Sequence, residues 1–376
     1  MRVNGRVGRA AGVLVLALSA AACGAGADSH PGAEGGGAKE KGKSVPARPL
    51  PVEGGKRTVT WTDLKHRSHE LEAAPSELAR GSVSDLENVR LDDELKGKVP
   101  YYLTVSYTNK GSTRLERPSP ERDFLLASAD GQPGKPISVF SSALSQDSGL
   151  PDACSKGAPE SLAPGGEATV CQIFMMPGNL APAAVSHIGR DAQGNESDPV
   201  IWKAGGSGNG AGKGAGKGAG KAGLPGGILE LKKTGRSAVQ DAKRRNVKVE
   251  VAAQSIRPGK VADLGRFELD PDEKKQVPYY VTVEYRNMGS NELLPQMNQK
   301  TELRAVSGRS ARRLNLIDLS GEGLAQCPDA KPDGLVRPKA SVTECSVFML
   351  PRTDSPASLV FTGEGKAAKT VTWRAP

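Results

Sequence analysis

Two stretches of the chain alternate strictly between apolar and polar positions. Val99, Tyr101, Leu103, Val105 and Tyr107 alternate with Pro100, Tyr102, Thr104, Ser106 and Thr108. Val277, Tyr279, Val281, Val283 and Tyr285 alternate in the same way with Pro278, Tyr280, Thr282, Glu284 and Arg286. A period of two puts each set on one face of an extended chain, so both stretches predict strands with one apolar face and one that turns polar along its length. Asn109-Lys-Gly111 and Asn287-Met-Gly289 follow, with residues that tolerate positive φ and predict turns. Further on, Cys171, Ile173 and Met175 share a face with Phe174 opposite, and Cys345, Val347 and Met349 share one with Phe348 opposite. Pro177 and Pro351 end both strands. Helical period is scarce, and only Ser237 to Arg245 predicts a short helix.

These segments are copies of one another. Gly81-Ser-Val-Ser-Asp-Leu86 matches Gly259-Lys-Val-Ala-Asp-Leu264, and Val99 to Ser112 matches Val277 to Ser290, at one constant offset of 178 residues. Thr169 to Pro177 then matches Thr343 to Pro351, and each copy ends in a Trp-containing strand pattern, Val200-Ile-Trp202 and Val371-Thr-Trp373. The reading is all-β, two tandem Ig-like β-sandwich domains, one over 58–203 and one over 228–376. Each is large enough for a single core.

The flanks read differently. Arg2, Arg6 and Arg9 precede an apolar stretch from Ala10 to Leu18, and Ser19-Ala-Ala-Ala22 leads into Cys23. The apolar stretch is far shorter than the ~20 residues that a membrane-spanning helix needs. Residues 1–22 are therefore expected to be a cleaved export signal. A cysteine directly after small residues resembles the lipobox of bacterial lipoproteins, which implies a diacylglyceryl anchor on Cys23 at the outer face of the cytoplasmic membrane. Residues 23–57 and 204–227 are Gly-rich with few large apolar groups and are expected to be disordered tethers. The second contains Gly210-Ala-Gly-Lys, Gly214-Ala-Gly-Lys and Gly218-Ala-Gly-Lys. A coil of this length spans somewhat less than ~30 Å, so the two modules are expected to move independently.

Cysteine count agrees with this layout. Of five cysteines, lipidation of Cys23 leaves Cys154, Cys171, Cys327 and Cys345, two per copy at near-equal spacing. That favours pairing within each copy, each bond pinning a loop to the strand that follows. Zinc fits poorly, because neither copy has four clustered ligands.

The strand ending in Asn-x-Gly, the turn Leu162-Ala-Pro-Gly-Gly166 and the strand ending Phe-x-x-Pro together resemble an Ig-like module of unassigned function. It is common in lipoproteins of high-GC Gram-positive bacteria and similar to their immunoprotective extracellular protein. The second copy departs at the turn, where Arg337-Pro-Lys339 replaces Pro-Gly-Gly. The resemblance implies a fold and an extracytoplasmic location, and no reaction.

The net charge of +9 sits mainly in the signal and connecting segments, while 58–203 is net acidic. With few aromatics and an export signal, nucleic acid is not an expected partner. No Gly-x-Ser-x-Gly, Walker or dinucleotide pattern occurs, His187 has no recognisable partner, and neither catalysis nor a cofactor is expected. His66, His69 and Glu70 are a candidate metal cluster, which offers the alternative reading of a metal-handling lipoprotein. Lys232, Lys233, Arg236, Lys243, Arg244 and Arg245 form a basic lead-in (228–248), which could lie on anionic lipid or wall polymer or remain a solvated connector. Asp92-Asp93-Glu94 and Asp270-Pro-Asp272-Glu273 read as solvated loop acids, with weak calcium binding as the alternative. In each Tyr-Tyr pair, one ring is expected in the core and its neighbour at the sheet edge, the alternative being an exposed aromatic platform. The expected function is a binding or structural module pair at the cell envelope, engaging wall polymer or another envelope protein.

Overall fold

The alternating segments pair into two antiparallel sandwiches, one from each copy. The computed structural model describes residues 48–87, 89–138, 150, 154, 157–205, 227–316, 323–327 and 334–376. Cys23, the export signal, most of the first tether and nearly all of the Gly-rich linker lie outside the described residues.

The first sandwich contains β1 (Arg48–Leu50), β2 (Val52–Glu53), β3 (Arg57–Thr62), β4 (Ser68–Arg80), β5 (Lys98–Asn109), β6 (Leu115–Glu116), β7 (Phe124–Ser128), β8 (Lys135–Ile137), β9 (Ser161–Leu162), β10 (Glu167–Pro177), β11 (Pro182–His187) and β12 (Val200–Ala204). Its large sheet runs β1-β4-β5-β10-β8 with β3 also on β4, and it faces the sheet β2-β12-β11-β7. The second sandwich contains β13 (Gly235–Gln240), β14 (Asn246–Pro258), β15 (Val277–Asn287), β16 (Thr301–Ala305), β17 (Arg312–Leu314), β18 (Ser341–Leu350), β19 (Pro356–Thr362) and β20 (Thr370–Arg374). There, β13-β14-β15-β18-β17 faces β16-β19-β20.

Between the sheets of each sandwich lies an apolar core built on the inward positions of the alternating strands. Leu71, Leu103, Val105, Tyr107, Phe174 and Trp202 fill the first, and Val251, Val283, Tyr285, Phe348, Phe361 and Trp373 fill the second. Each fully buried side chain of this size stabilises by roughly 1.5–3 kcal/mol. The tryptophans also close the entry of each module. Trp202 Nε1 donates to Gly55 O at 2.8 Å, and Trp373 Nε1 donates to Lys233 O at 2.7 Å.

The outward face of the large sheet is not polar throughout, as the alternation predicts, but carries a second small core. Tyr102, Ile173 and Met175 pack there under Leu86 and Leu95 of two 3-10 turns, and Tyr280, Val347 and Met349 pack likewise under Leu264 and Leu269. Tyr101 and Tyr102 are therefore both buried, one on each side of the sheet, and neither forms an edge or a platform. The Tyr102 hydroxyl donates to Asp85 and the Tyr280 hydroxyl to Asp263. Cys154 is bonded to Cys171 and Cys327 to Cys345, with Cα–Cα distances of 4.8 and 5.3 Å, at the rim of these small cores.

Three boundaries differ from the sequence reading. The first sandwich starts at Arg48, not 58, because β1 and β2 add to the edges of both sheets. The basic lead-in is no connector, since β13 and β14 form the first hairpin of the second sandwich. Within it Ser237 to Arg245 is strand and turn instead of helix, because Ser237 and Val239 point inward opposite Val249 and Val247.

The two modules also do not stand apart. Residues Ser44–Pro376 make one compact unit, with a seam between the outer faces of the two smaller sheets. Ser186 Oγ donates to Ser307 O at 2.7 Å, and Ser358 Oγ donates to Asp130 O at 2.5 Å. Arg309 pairs with Glu196 at 2.6 Å. Small residues permit this approach. Gly131 and Gly308 both adopt positive φ (73° and 88°). A Cβ at Gly131 would stand 2.5 Å from Ala305 O, and one at Gly308 would stand 2.9 Å from Ala127 Cβ. Each module thus sets the turn that follows β7 or β16 onto its sibling, a reciprocal contact of the kind a two-fold axis generates.

Candidate functional site

At one end of each sandwich three loops meet: the β3–β4 or β13–β14 hairpin tip, the loop after β5 or β15, and the turn before β10 or β18. Side chains common to both copies build this end. Asp63 Oδ1 accepts from the Lys65 and Arg67 N–H groups at 2.8 and 3.0 Å, and its Oδ2 from Arg67 Nε at 2.9 Å. Asp241 repeats the set with Lys243 N, Arg245 N and Arg245 Nε at 2.9, 2.9 and 2.7 Å. The tip residues His66 and Arg244 share the left-handed conformation, at φ 58° and 59°. Burial pulls the Asp63 carboxyl upward, but hydrogen bonds from Arg67 N–H, His69, the Arg67 side chain and Lys65 N–H outweigh it and hold it well below the usual range. At Asp241 the Arg245 N–H is the strongest influence, and it likewise holds the carboxyl low.

The second loop hangs on a buried asparagine. Asn109 Nδ2 donates to Thr113 O and Leu162 O at 2.8 and 3.2 Å, and its Oδ1 accepts from Gly111 N at 3.0 Å. Asn287 does the same with Asn291 O, Val336 O and Gly289 N at 2.7, 2.9 and 2.9 Å. The backbone carbonyls of the two asparagines accept from Gly165 N and Lys339 N, both at 2.8 Å. Gly165 lies at φ 70° and Lys339 at φ 67°. The second copy's sequence departure at this turn therefore leaves the turn's geometry intact.

What the loops present differs between copies. Leu64, which is 95 % exposed, tips the first hairpin between Asp63 and Lys65. In the second module a cleft of 360 Å³ lies between the hairpin tip and the neighbouring loops, lined by Lys243, Arg245, Asn291, Leu294 and Leu335. A second cleft of 520 Å³ is lined by Arg236, Lys248, Glu250, Met288 and Lys369.

The residues singled out from sequence are distributed as follows. His69 stacks on Trp61 with ring centroids 5.5 Å apart, and its Nε2 lies 3.1 Å from Asp63 Oδ2. His66 sits at the hairpin tip, and Glu70, next to His69 on β4, faces the other side of the sheet. The three are not brought together, and among the described residues no three His, Cys, Asp or Glu side chains gather at metal-binding distance. The basic run is split. Lys232 and Lys233 lie in the turn before β13, Arg236 pairs with Glu250 at 3.1 Å, and Lys243, Arg244 and Arg245 sit at the far tip. The acid clusters are ion-paired, Asp93 with Lys96, Glu94 with Lys135, Asp272 with Lys275, and Asp270 and Glu273 with Arg312.

His187 is buried edge-on against Phe124 at 5.0 Å with no partner for Nε2, and burial pushes it down to about 4. Phe361 is its counterpart in the second core. Tyr107 and Tyr285 each have a carboxylate near them. Glu121 influences Tyr107 in the first module and Glu344 influences Tyr285 in the second, and burial raises all four groups.

Asp63 and Asp241 were missed by sequence reading, although Asp63-x-Lys-x-Arg67 and Asp241-x-Lys-x-Arg245 stand at the repeat offset, and Asn109 and Asn287 were read as turn residues and not as side-chain clamps. No membrane-spanning helix is present among the described residues. No family model matches this chain, and no curated protein and no solved structure matches it.

Proposed function

We propose that this chain is a non-catalytic lipoprotein of the cell envelope, anchored through Cys23, in which two sandwiches act as one binding or structural unit. One observation carries the reading. At one end of each module the shared Asp63/Asp241 and Asn109/Asn287 are committed to holding the loops in place, while exposed loop residues such as Leu64 and Ala242, or Lys110 and Met288, differ. Fixed loops on a rigid sandwich are a common basis for binding surfaces. The paired cysteines support an oxidising, extracytoplasmic location.

Metabolic labelling with a palmitate analogue tests the anchor. The chain is expected to carry label and sediment with membranes, and Cys23→Ala is expected to abolish both. An unlabelled, soluble wild-type chain would overturn the anchor. Alkylation of native protein is expected to find no free thiol at Cys154, Cys171, Cys327 or Cys345, and reactive thiols there would contradict the location.

A further inference from the structure

We propose that the loop end of the second sandwich is a peripheral docking surface for an anionic phospholipid bilayer. Of five strongly exposed large apolar side chains among the described residues, three lie here: Leu294 (50 %), Leu335 (45 %) and Met288 (44 %). A fourth, Leu64, tips the matching hairpin of the first sandwich.

The backbone sets two of them side by side. Leu293 and Val336 form an antiparallel bridge with hydrogen bonds of 3.0 and 2.7 Å, and both point into the core. Their neighbours Leu294 and Leu335 therefore point outward together, and they line one cleft with Lys243 and Arg245. Met288, which follows β15 in the same loop as Leu294, lines a second cleft with Lys248. Around them stand the exposed cations Lys243, Arg244, Arg337 and Lys339. Acidic opposition is reduced, because Asp241 is occupied by Arg245 at 2.7 Å, Glu250 by Arg236 at 3.1 Å and Glu364 by Lys300 at 2.5 Å, while Glu292 is exposed on the rim.

Single exposed leucines carry no message, but a group of them ringed by Lys and Arg suits the headgroup boundary, where apolar tips enter the acyl region and cations meet phosphates. A soluble polyanion would need the cations alone and would give the leucines nothing to bury against. Asn287 clamps the loop before any contact, so little ordering remains to be done on binding. The surface stands on its own residues and does not depend on lipidation of Cys23.

The test uses the compact unit Ser44–Pro376 and vesicles of phosphatidylglycerol and phosphatidylcholine at about 1:2. The protein is expected to sediment with these vesicles at low salt and not with pure phosphatidylcholine. Leu294→Asp with Leu335→Asp, and separately Lys243→Glu with Arg244→Glu, are each expected to weaken binding by at least about 10-fold. The native tryptophans are buried, so Leu294→Trp supplies a reporter whose emission should shift to the blue on the anionic vesicles. Equal behaviour on both vesicle types, or an unshifted reporter, overturns the proposal. It also fails if the double leucine variant binds normally and soluble poly(glycerol phosphate) displaces the protein completely, which would make the occupant a wall-type polymer.

Discussion

Asn109 and Asn287 hold the same buried place in the two sandwiches, each donating to two backbone carbonyls and accepting from one glycine N–H. A buried group left without its partner costs about 1–3 kcal/mol. Asn109→Leu is therefore expected to destabilise the chain by about 2–4 kcal/mol, and Asn287→Leu by a similar amount. Denaturant unfolding measures it, and a loss below about 1 kcal/mol would mean that water replaces the clamp.

The turn before β18 carries a local strain that the turn before β10 avoids. Lys339 occupies the left-handed region that Gly165 occupies in the first copy. A side chain there costs about 1 kcal/mol. Lys339→Gly should raise stability by up to about that amount, and Gly165→Ala should lower it similarly. Opposite signs in thermal melts would contradict the assigned turn.

His187 titrates against folding on the acid side. Its folded value of about 4 lies below the ordinary 6.5, so its favourable contribution is complete above 6.5 and is lost as pH falls towards 4. His187→Phe, the residue type of the sister core, removes that loss and the unpartnered Nε2. The expected gain is on the order of 1 kcal/mol near pH 5, with a flatter dependence of Tm on pH than the parent. Asp123 works the other way. Burial pushes it up to about 6, against the pull of Arg190 and Arg122. Its contribution is complete below 3.8 and lost as pH rises through 6, so Asp123→Asn should stabilise at neutral pH.

The seam tolerates only small side chains. Ser186 and Ser358 are fully buried in it, and arginine at both positions should force the modules apart while each stays folded. Small-angle scattering is expected to change from one compact particle to two tethered ones. An unchanged profile would show that the seam does not hold the modules together.

Each disulfide closes a short loop, with sequence separations of 17 and 18. Replacing Cys154 and Cys171 by alanine should cost roughly 3 kcal/mol, and so should replacing Cys327 and Cys345. The two losses should be independent of each other, because each bond lies at the rim of its own small core.

Much of this molecule could be read from residue order, because period-two alternation and a constant repeat offset are local signals. They are enough to specify an all-β chain made of two sibling sandwiches and to place β5, β10, β15 and β18 in it as strands. Other features depended on tertiary contacts. The helix expected at Ser237 to Arg245 became strand because its inward residues meet Val247 and Val249 across the hairpin. Tyr102 and Tyr280 are buried on the second face because the 3-10 turns just before β5 and β15 fold back over them. His66, His69 and Glu70 are close in sequence and yet part, since neighbours on a strand face opposite sides. Leu294 meets Leu335, and Ser186 meets Ser307, across separations that no local pattern encodes. Sequence by itself determined which residues face inward along β5 and β15, whereas on β10 and β18 it is Phe174 and Phe348, opposite the cysteine-bearing faces, that enter the core between the sheets. Only the tertiary structure decided which faces meet, because burial on a second face depends on how loops fold back over a sheet, which no period along a strand encodes.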